Sequence, residues 1–202
     1  VAGSAYQRAI EGYSINTFFL IRYVGINSQT GDAEWLDRNG NITINPTAND
    51  RVIVGDANPD FTGGITNSFR FKNFDLNVFA NFSYGNDIFV DGLRFTENIQ
   101  GTYGKSVELL NYWTTPGQNA YAPSLTSATR PRFNQASTAQ LRDGSFLRIN
   151  NVTLGYNLPK DLFKNSRFFD SARIYFTATN LYTFKADDLQ GIDPEVTSTV
   201  TN

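Results

Sequence analysis

The sequence predicts an all-β fold of antiparallel strands joined by long loops. Several stretches of the 202-residue chain alternate between apolar and polar residues, which is the period of a strand with two different faces. Two of them, 63–72 and 74–88, are separated only by Asn73, as in an antiparallel hairpin. Short connections (73 and 159–170) also alternate with the long stretch 91–144.

The first predicted strand is INTFFLIRYVGI (15–26), which is rich in β-branched and aromatic residues. Asn39-Gly40 follows between two short runs and favours a type I′ hairpin turn, because both turn positions need positive φ. The segment DANPD (56–60) has the Asx and Pro chemistry of a turn. It also resembles the start of a calcium loop, but the Gly and Glu of the EF-hand pattern are missing, so we expect a turn.

The second strand of the hairpin shows the two faces most clearly. One set of its residues is apolar or aromatic: Phe74, Leu76, Val78, Ala80, Phe82 and Tyr84. The residues between them are mostly small and polar: Asp75, Asn77, Phe79, Asn81, Ser83 and Gly85. Such a strand separates an apolar environment from a polar one.

Two further strands, 145–158 and 171–184, bring the predicted total to five. In the first of them the apolar residues change parity at Asn150-Asn151. This change predicts either a β-bulge or a strand that passes between two environments, with Leu147 and Ile149 then pointing inward.

The long stretch 91–144 shows no sustained alternation and holds one short helix candidate, KSVELLNYW (105–113). An irregular stretch of this length is usually functional, as a binding loop or a lid. Its aromatic residues are candidates for stacking on a substrate or meeting a partner, or for packing the loop on itself. These candidate site residues are Tyr103, Tyr112, Trp113 and Tyr121.

The composition argues against several classes of function. A net charge of −2 gives no electrostatic basis for nucleic-acid binding. The chain has no His and no Cys, which removes the commonest general base and the thiolate metal ligands, so we expect no enzyme, no metal and no cofactor. The carboxylates of Asp187, Asp188, Asp193 and Glu195 lie in one loop without an apolar pocket, and we expect them to be solvated rather than catalytic.

The alternation alone leaves two architectures open. In a transmembrane β-barrel the apolar faces contact lipid, with aromatic residues near the strand ends and loops sorted by length. In a soluble β-sandwich the same faces form a core, and a carbohydrate-binding module is the alternative function.

Three blocks of the sequence, in order, resemble the late barrel of SusC/RagA-type TonB-dependent transporters. They are VGDANPDFTGGITNSFRFKNFDLNVFANFSYGNDIF (54–89), LRDGSFLRINNVTLGYNLP (141–159) and ARIYFTATNLYTF with GIDPEV (172–196). The upstream block 11–43 fits the same family at the same place. The resemblance therefore covers nearly the whole chain.

The resemblance implies a 22-stranded outer-membrane barrel, of which this chain supplies about five strands and long surface loops. Residues 1–202 are then a C-terminal segment of the barrel that lacks the plug domain and the final strand. Transporters of this family import glycans or peptides across the cell outer membrane. The implied partners are a SusD-like surface lipoprotein, TonB acting through the missing plug, and outer-membrane lipid.

The resemblance also fixes an expected topology. Segments 27–60, 91–144 and 185–202 are expected at the cell surface, and 72–74 and 159–170 in the periplasm. The set expected to face lipid and to be exposed in the isolated chain is Phe74, Leu76, Val78, Phe82, Val152, Leu154 and Phe176. Three arginines, Arg70, Arg148 and Arg173, are candidates for pairing with acidic groups inside the barrel.

Overall fold

The computed structural model describes residues 6–100, 102, 104–164, 166, 168–189 and 191–195, and this part of the chain is almost entirely β. Its strands are β1 Gln7–Arg8, β2 Thr17–Leu20, β3 Arg22–Ile26, β4 Ala33–Leu36, β5 Ile42–Thr43, β6 Val52–Asp56, β7 Phe61–Phe71, β8 Phe74–Tyr84, β9 Asp87–Phe89, β10 Leu141–Asp143, β11 Phe146–Asn157 and β12 Arg173–Lys185. One α-helix, α1 at Asp91–Thr96, is accompanied by short 3₁₀ turns. No helix in the described ranges is long and apolar enough to span a membrane.

The chain divides into two compact units. The loop unit comprises the described parts of 1–58 and 87–143, and the sheet unit comprises those of 59–86 and 144–195. All strand pairs in both units are antiparallel, which confirms the predicted all-β class.

Small sheets and two apolar clusters hold the loop unit together. Its sheets have the strand orders β1-β2-β6, β3-β4-β5 and β9-β10. Phe18 and Leu20 pack in one cluster with Phe89, while Trp35 lies fully buried in a second cluster with Phe133. The stretch 91–144, which shows no alternation in sequence, is therefore folded onto the segment that contains the predicted first strand.

The prediction of one continuous strand over 15–26 is wrong. The chain forms β2 and β3 instead, separated at Ile21, and neither pairs with the strands of the sheet unit. Ile21 is buried in the second cluster while Phe18 and Leu20 belong to the first, so the two halves of the run serve different cores.

Two local predictions in the loop unit also need correction. The β4–β5 hairpin exists, but of Asn39 and Gly40 only Gly40 has a positive φ, so the turn is not type I′. The Asp37 carboxylate closes it by accepting the Asn41 N–H at 2.8 Å. The helix predicted over 105–113 is reduced to a 3₁₀ turn at Val107–Leu110, begun by the Ser106 side chain.

The sheet unit contains the predicted hairpin and the last two predicted strands. Its strand order is β12-β11-β8-β7. The pair Phe71↔Phe74 closes the β7–β8 hairpin through a two-residue turn, in which Lys72 has φ 52°. The hairpin is confirmed, although β8 ends at Tyr84 rather than at residue 88.

The irregularity predicted at Asn150-Asn151 is confirmed as a β-bulge. Against β8, the register moves from Ile149↔Ala80 to Asn151↔Phe79, so Asn150 is one extra residue in β11. A second shift occurs at the same place against β12. Because the extra residue reverses the parity, Leu147 and Ile149 lie on the same face of the sheet as Val152.

Candidate functional site

The four-stranded sheet has one mainly apolar face and one mainly polar face. The register places the apolar residues of neighbouring strands opposite one another, as in Val78↔Val152 and Leu154↔Phe176. Residues of β8 and β11 on this face are Phe74, Leu76, Val78, Ala80, Phe82, Tyr84, Leu147, Ile149, Val152, Leu154 and Tyr156. Residues of the same strands on the polar face are Asp75, Asn77, Asn81, Ser83, Arg148, Asn151, Thr153 and Asn157, with Phe79, Phe146 and Gly155 among them.

The apolar face is not covered by another part of the described chain. Phe176 is 71% exposed, Phe74 49% and Leu154 47%. The other members of the set expected to face lipid, Leu76, Val78, Phe82 and Val152, are half-buried by their neighbours, and none is buried. An exposed apolar surface of this extent marks an interaction with lipid or with another protein.

Cross-strand hydrogen bonds organise the polar face. The Ser68 hydroxyl donates to the Asn77 side chain at 2.6 Å, and the hydroxyls of Thr153 and Thr177 are 3.0 Å apart. Hydroxyl and amide pairs of this kind stabilise a sheet and leave a surface that water can wet.

At the hairpin end of the polar face, Arg173 of β12 forms an ion pair with Asp75 of β8. The two strands are not neighbours, and the pair passes over β11 at Gly155. A Cβ atom on Gly155 would lie 2.5 Å from Arg173 Nη2 and 2.7 Å from both Asp75 oxygens. The glycine therefore provides the space in which this ion pair forms.

At the opposite end, Arg148 is only 9% exposed and its three guanidinium nitrogens are all engaged. Nε donates to the Thr183 hydroxyl at 3.0 Å, Nη1 to Glu195 at 2.6 Å and Nη2 to Asp193 at 2.5 Å. A buried guanidinium needs such partners, since an unpaired buried charge is strongly destabilising. The expected pairing with acidic groups is thus observed for Arg148 and Arg173.

The acidic partners of Arg148 also have a local structure. The Asp193 carboxylate accepts the Glu195 N–H at 3.0 Å, and this bond together with Arg148 holds the pKa of the Asp193 carboxyl below its usual range. Glu195 accepts a further bond from the Asn81 amide at 2.9 Å. The expectation that these two carboxylates are simply solvated therefore needs correction, since both are ion-paired with Arg148.

The predicted loop aromatics lie in the loop unit, except that Tyr103 is outside the described residues. Tyr112 packs against the cluster that contains Trp35. Trp113 is half-buried and donates its indole N–H to the Ser28 carbonyl at 2.8 Å, above Gly31.

Tyr121 is the most deeply involved of these aromatics. Its hydroxyl donates to the carboxylate of Glu97, which is only 2% exposed. Burial raises the pKa of the Glu97 carboxyl, and the Tyr121 hydrogen bond opposes that effect. Tyr112, Trp113 and Tyr121 thus support the packing of their own loops, and their contact with a substrate or partner stays a prediction.

Sequence reasoning missed the residues that organise the polar face. Asp75, Gly155, Asp193 and Glu195 were not predicted as partners, although Asp75 and Arg173 occupy the polar parity of their strands. The turn predicted at DANPD is present, with the Asp56 carboxylate accepting the Asn58 N–H at 2.9 Å. In the ranges that the structure describes, no group of acidic residues is arranged to hold a metal ion.

The two-faced sheet defines a class of protein. A long antiparallel sheet with an exposed apolar outer face, a hydrogen-bonded polar inner face and aromatic residues toward the strand ends has the construction of a transmembrane β-barrel wall. The hydrogen bonds and ion pairs of the polar face give it the chemistry of a lining surface.

Comparison with known proteins identifies the kind of barrel. TonB-dependent receptor P3 of Formosa agariphila is 32% identical over 204 residues, covering 92% of this chain and 19% of that protein. TonB-dependent receptor SusC of Bacteroides thetaiotaomicron is 29% identical over 191 residues, covering 93% of this chain and 18% of its own length. The RagAB peptide importer in its open-open state superposes with a TM-score of 0.77 at 30% identity, over 91% of this chain and 20% of the importer chain. No family model matches the sequence.

The chain is homologous to part of the TonB-dependent receptors of the SusC/RagA type, which confirms the resemblance seen in its sequence. It spans about a fifth of the length of the relatives that it matches. Receptors of this type are outer-membrane β-barrel proteins, and this chain matches a part of such a barrel.

Proposed function

We propose that this chain forms part of the wall and loops of an outer-membrane transporter that imports peptides or glycans. The observation that carries the proposal is the combination of an exposed apolar face with an opposite face built from ion pairs and cross-strand hydrogen bonds. The first face suits lipid and the second suits a water-filled or protein-filled lumen. This segment has a lining role and no catalytic one.

The rest of the barrel is supplied by strands outside residues 1–202. Four strands cannot close a barrel, for which about eight are the practical minimum. β7 and β12 each have one neighbour among the described strands, and an open edge in lipid costs several kcal/mol for each unpaired backbone group. We propose that both edges pair with other strands of the same receptor, whose plug domain and final strand also lie beyond this C-terminal segment.

The proposed partners follow from the same assignment. They are TonB, acting through the plug, a SusD-like surface lipoprotein and the lipids of the outer membrane. The likeness to the RagAB peptide importer favours peptides as cargo. Glycans, which the resemblance of the sequence to the SusC/RagA family implies, are the second class. Tyr112, Trp113 and Tyr121, with Tyr103, remain the proposed contacts of the loops with cargo or partner.

A soluble β-sandwich that binds carbohydrate is the competing function. It requires a second sheet over the apolar face, whereas Phe176, Phe74 and Leu154 are all exposed. This observation favours the membrane barrel.

Uptake by cells tests the proposal. Cells that produce the receptor containing this segment are given a fluorescein-labelled tryptic digest of serum albumin or labelled dextran oligosaccharides, with and without a protonophore. We expect accumulation of one cargo that stops when the protonophore removes the energy source of TonB. Recovery of the protein from the soluble fraction, or uptake of neither cargo, would contradict the proposal.

A further inference from the structure

A segment after β12 folds back onto the polar face of the sheet. We call this segment, residues 187–189 and 191–195, the strap. It begins with a 3₁₀ turn at Asp187–Leu189, in which Leu189 is fully buried. The Lys185 ammonium donates to the Ile192 carbonyl, and the Ile192 N–H donates to the Leu189 carbonyl at 3.0 Å. These contacts turn the chain back toward the sheet.

The end of the strap is fixed to two strands of the sheet. Asp193 and Glu195 both pair with Arg148 of β11, and Glu195 also accepts the amide of Asn81 on β8. In the register, Arg148 lies opposite both Asn81 and Thr183, so all of these groups belong to the polar face. The strap therefore leaves β12, passes β11 and reaches β8, a distance of about 10 Å or two strand spacings.

The anchor has the properties of a fixed element. The Arg148 guanidinium is nearly buried and holds two carboxylates at once through separate nitrogens, a geometry that the rigid planar fork of arginine favours. Pro194, between the two carboxylates, is also buried and stiffens the strap where it meets the sheet.

We infer that Arg148 is a positioning residue for transport, which holds the strap against the lumen side of the barrel wall so that the strap lines the cargo path. This inference rests on the proposed function, because it is the barrel that makes the polar face a lumen. According to this inference, the strap is fixed on the inner wall of the barrel and is not a free surface loop. Arg148 acts on cargo only through the strap.

The test compares Arg148→Gln with Arg148→Lys in the whole receptor. Gln removes the charge and the fork, whereas Lys keeps the charge but loses the rigid planar fork that positions both carboxylates. Arg70→Gln is the matched control, because Arg70 lies exposed on the same face near the hairpin turn, at the other end of the sheet. Asn81→Ala loosens the strap without removing a buried charge and serves if Arg148→Gln fails to assemble.

The first readout is hydrogen exchange of the strap amides, and the second is the affinity for the labelled cargo that the wild type binds. We expect exchange about tenfold faster in Arg148→Gln, a smaller rise in Arg148→Lys and Asn81→Ala, and none in Arg70→Gln. We expect the dissociation constant of the cargo to change by about threefold or more in Arg148→Gln. The change should be smaller in Arg148→Lys and Asn81→Ala and absent in Arg70→Gln.

The outcomes separate the inference from the proposed function. Unchanged strap exchange in Arg148→Gln and Asn81→Ala would overturn the inference while leaving transport intact. Faster exchange with unchanged cargo affinity would show that the strap is held by Arg148 but does not line the cargo path, which also overturns it. A wild type that binds neither the peptide digest nor the oligosaccharides would instead contradict the proposed function and, with it, the role in transport.

Discussion

Arg173 and Asp75 form an ion pair between two strands that are not neighbours, across the one residue of the intervening strand that has no side chain. Asp75 is largely shielded from solvent and also accepts a bond from the Asn157 amide at 3.3 Å. The pair ties three strands together where the β7–β8 turn and the β11–β12 connection meet.

Filling the space at Gly155 is expected to break this ion pair. A Gly155→Val side chain would occupy the position of the Arg173 guanidinium, and overpacking of this kind costs about 1–3 kcal/mol. The measurement is the temperature at which the folded receptor loses its fast electrophoretic mobility in detergent. Gly92→Ala, where a Cβ atom meets nothing, is the control.

The energetic coupling between Gly155 and Asp75 distinguishes loss of the ion pair from general crowding around Gly155. If Gly155 acts by making room for the ion pair, Gly155→Val and Asp75→Asn remove the same interaction, and their effects on stability do not add. Strictly additive losses would show that the glycine serves another purpose.

The bulge at Asn150 is expected to be essential for assembly. Deleting Asn150 removes the extra residue that β11 has against β8, which moves Leu147 and Ile149 to the polar face and turns Arg148 toward the apolar one. We expect the deletion to abolish the assembled receptor in the outer-membrane fraction. Asn150→Ala keeps the residue count and should assemble, so equal yields of the two variants would disprove the proposed role of the extra residue.

The burial of Glu97 raises the pKa of its carboxyl and gives the loop unit a predictable pH dependence. The folded pKa of Glu97 lies above the unfolded value of about 4.3, so its contribution to stability is largest below that value and falls as the pH rises toward the folded pKa. Glu97→Gln keeps the shape and the acceptor for Tyr121 but does not ionise, and we expect it to remove this dependence. The measurement is the hydrogen-exchange protection of the Glu97 and Tyr121 backbone amides as a function of pH, corrected for intrinsic exchange rates. Identical pH profiles in the wild type and Glu97→Gln would contradict this prediction.

The alternation of apolar and polar residues predicted the sheet unit, because the two faces of its sheet meet different environments along every strand. The hairpin at Lys72-Asn73 and the bulge at Asn150 both follow from the parity of apolar residues, which is a local property of the sequence. The same reasoning failed for 15–26, because Leu20 and Ile21 are buried in different clusters formed with residues far along the chain.

The ion pairs of the polar face could be predicted only in part. The parity of Arg148 and Arg173 indicated the polar face, but their partners depend on contacts over tens of residues, as between Arg148 and Glu195. Gly155 gave no signal, since its role is visible only when Arg173 and Asp75 are seen to meet above it.

The central claim is that the apolar face contacts lipid and the polar face does not, and a pair of adjacent arginine substitutions tests it most directly. Ile65 and Thr66 lie side by side near the middle of β7, exposed on the apolar and the polar face respectively. In the whole receptor we expect Ile65→Arg to destabilise the barrel by about 2–4 kcal/mol and to reduce the assembled receptor in the outer membrane, because a lipid-facing charge at this depth is costly. Thr66→Arg should assemble as the wild type does. Equal assembly of both variants, or loss only with Thr66→Arg, would contradict the account.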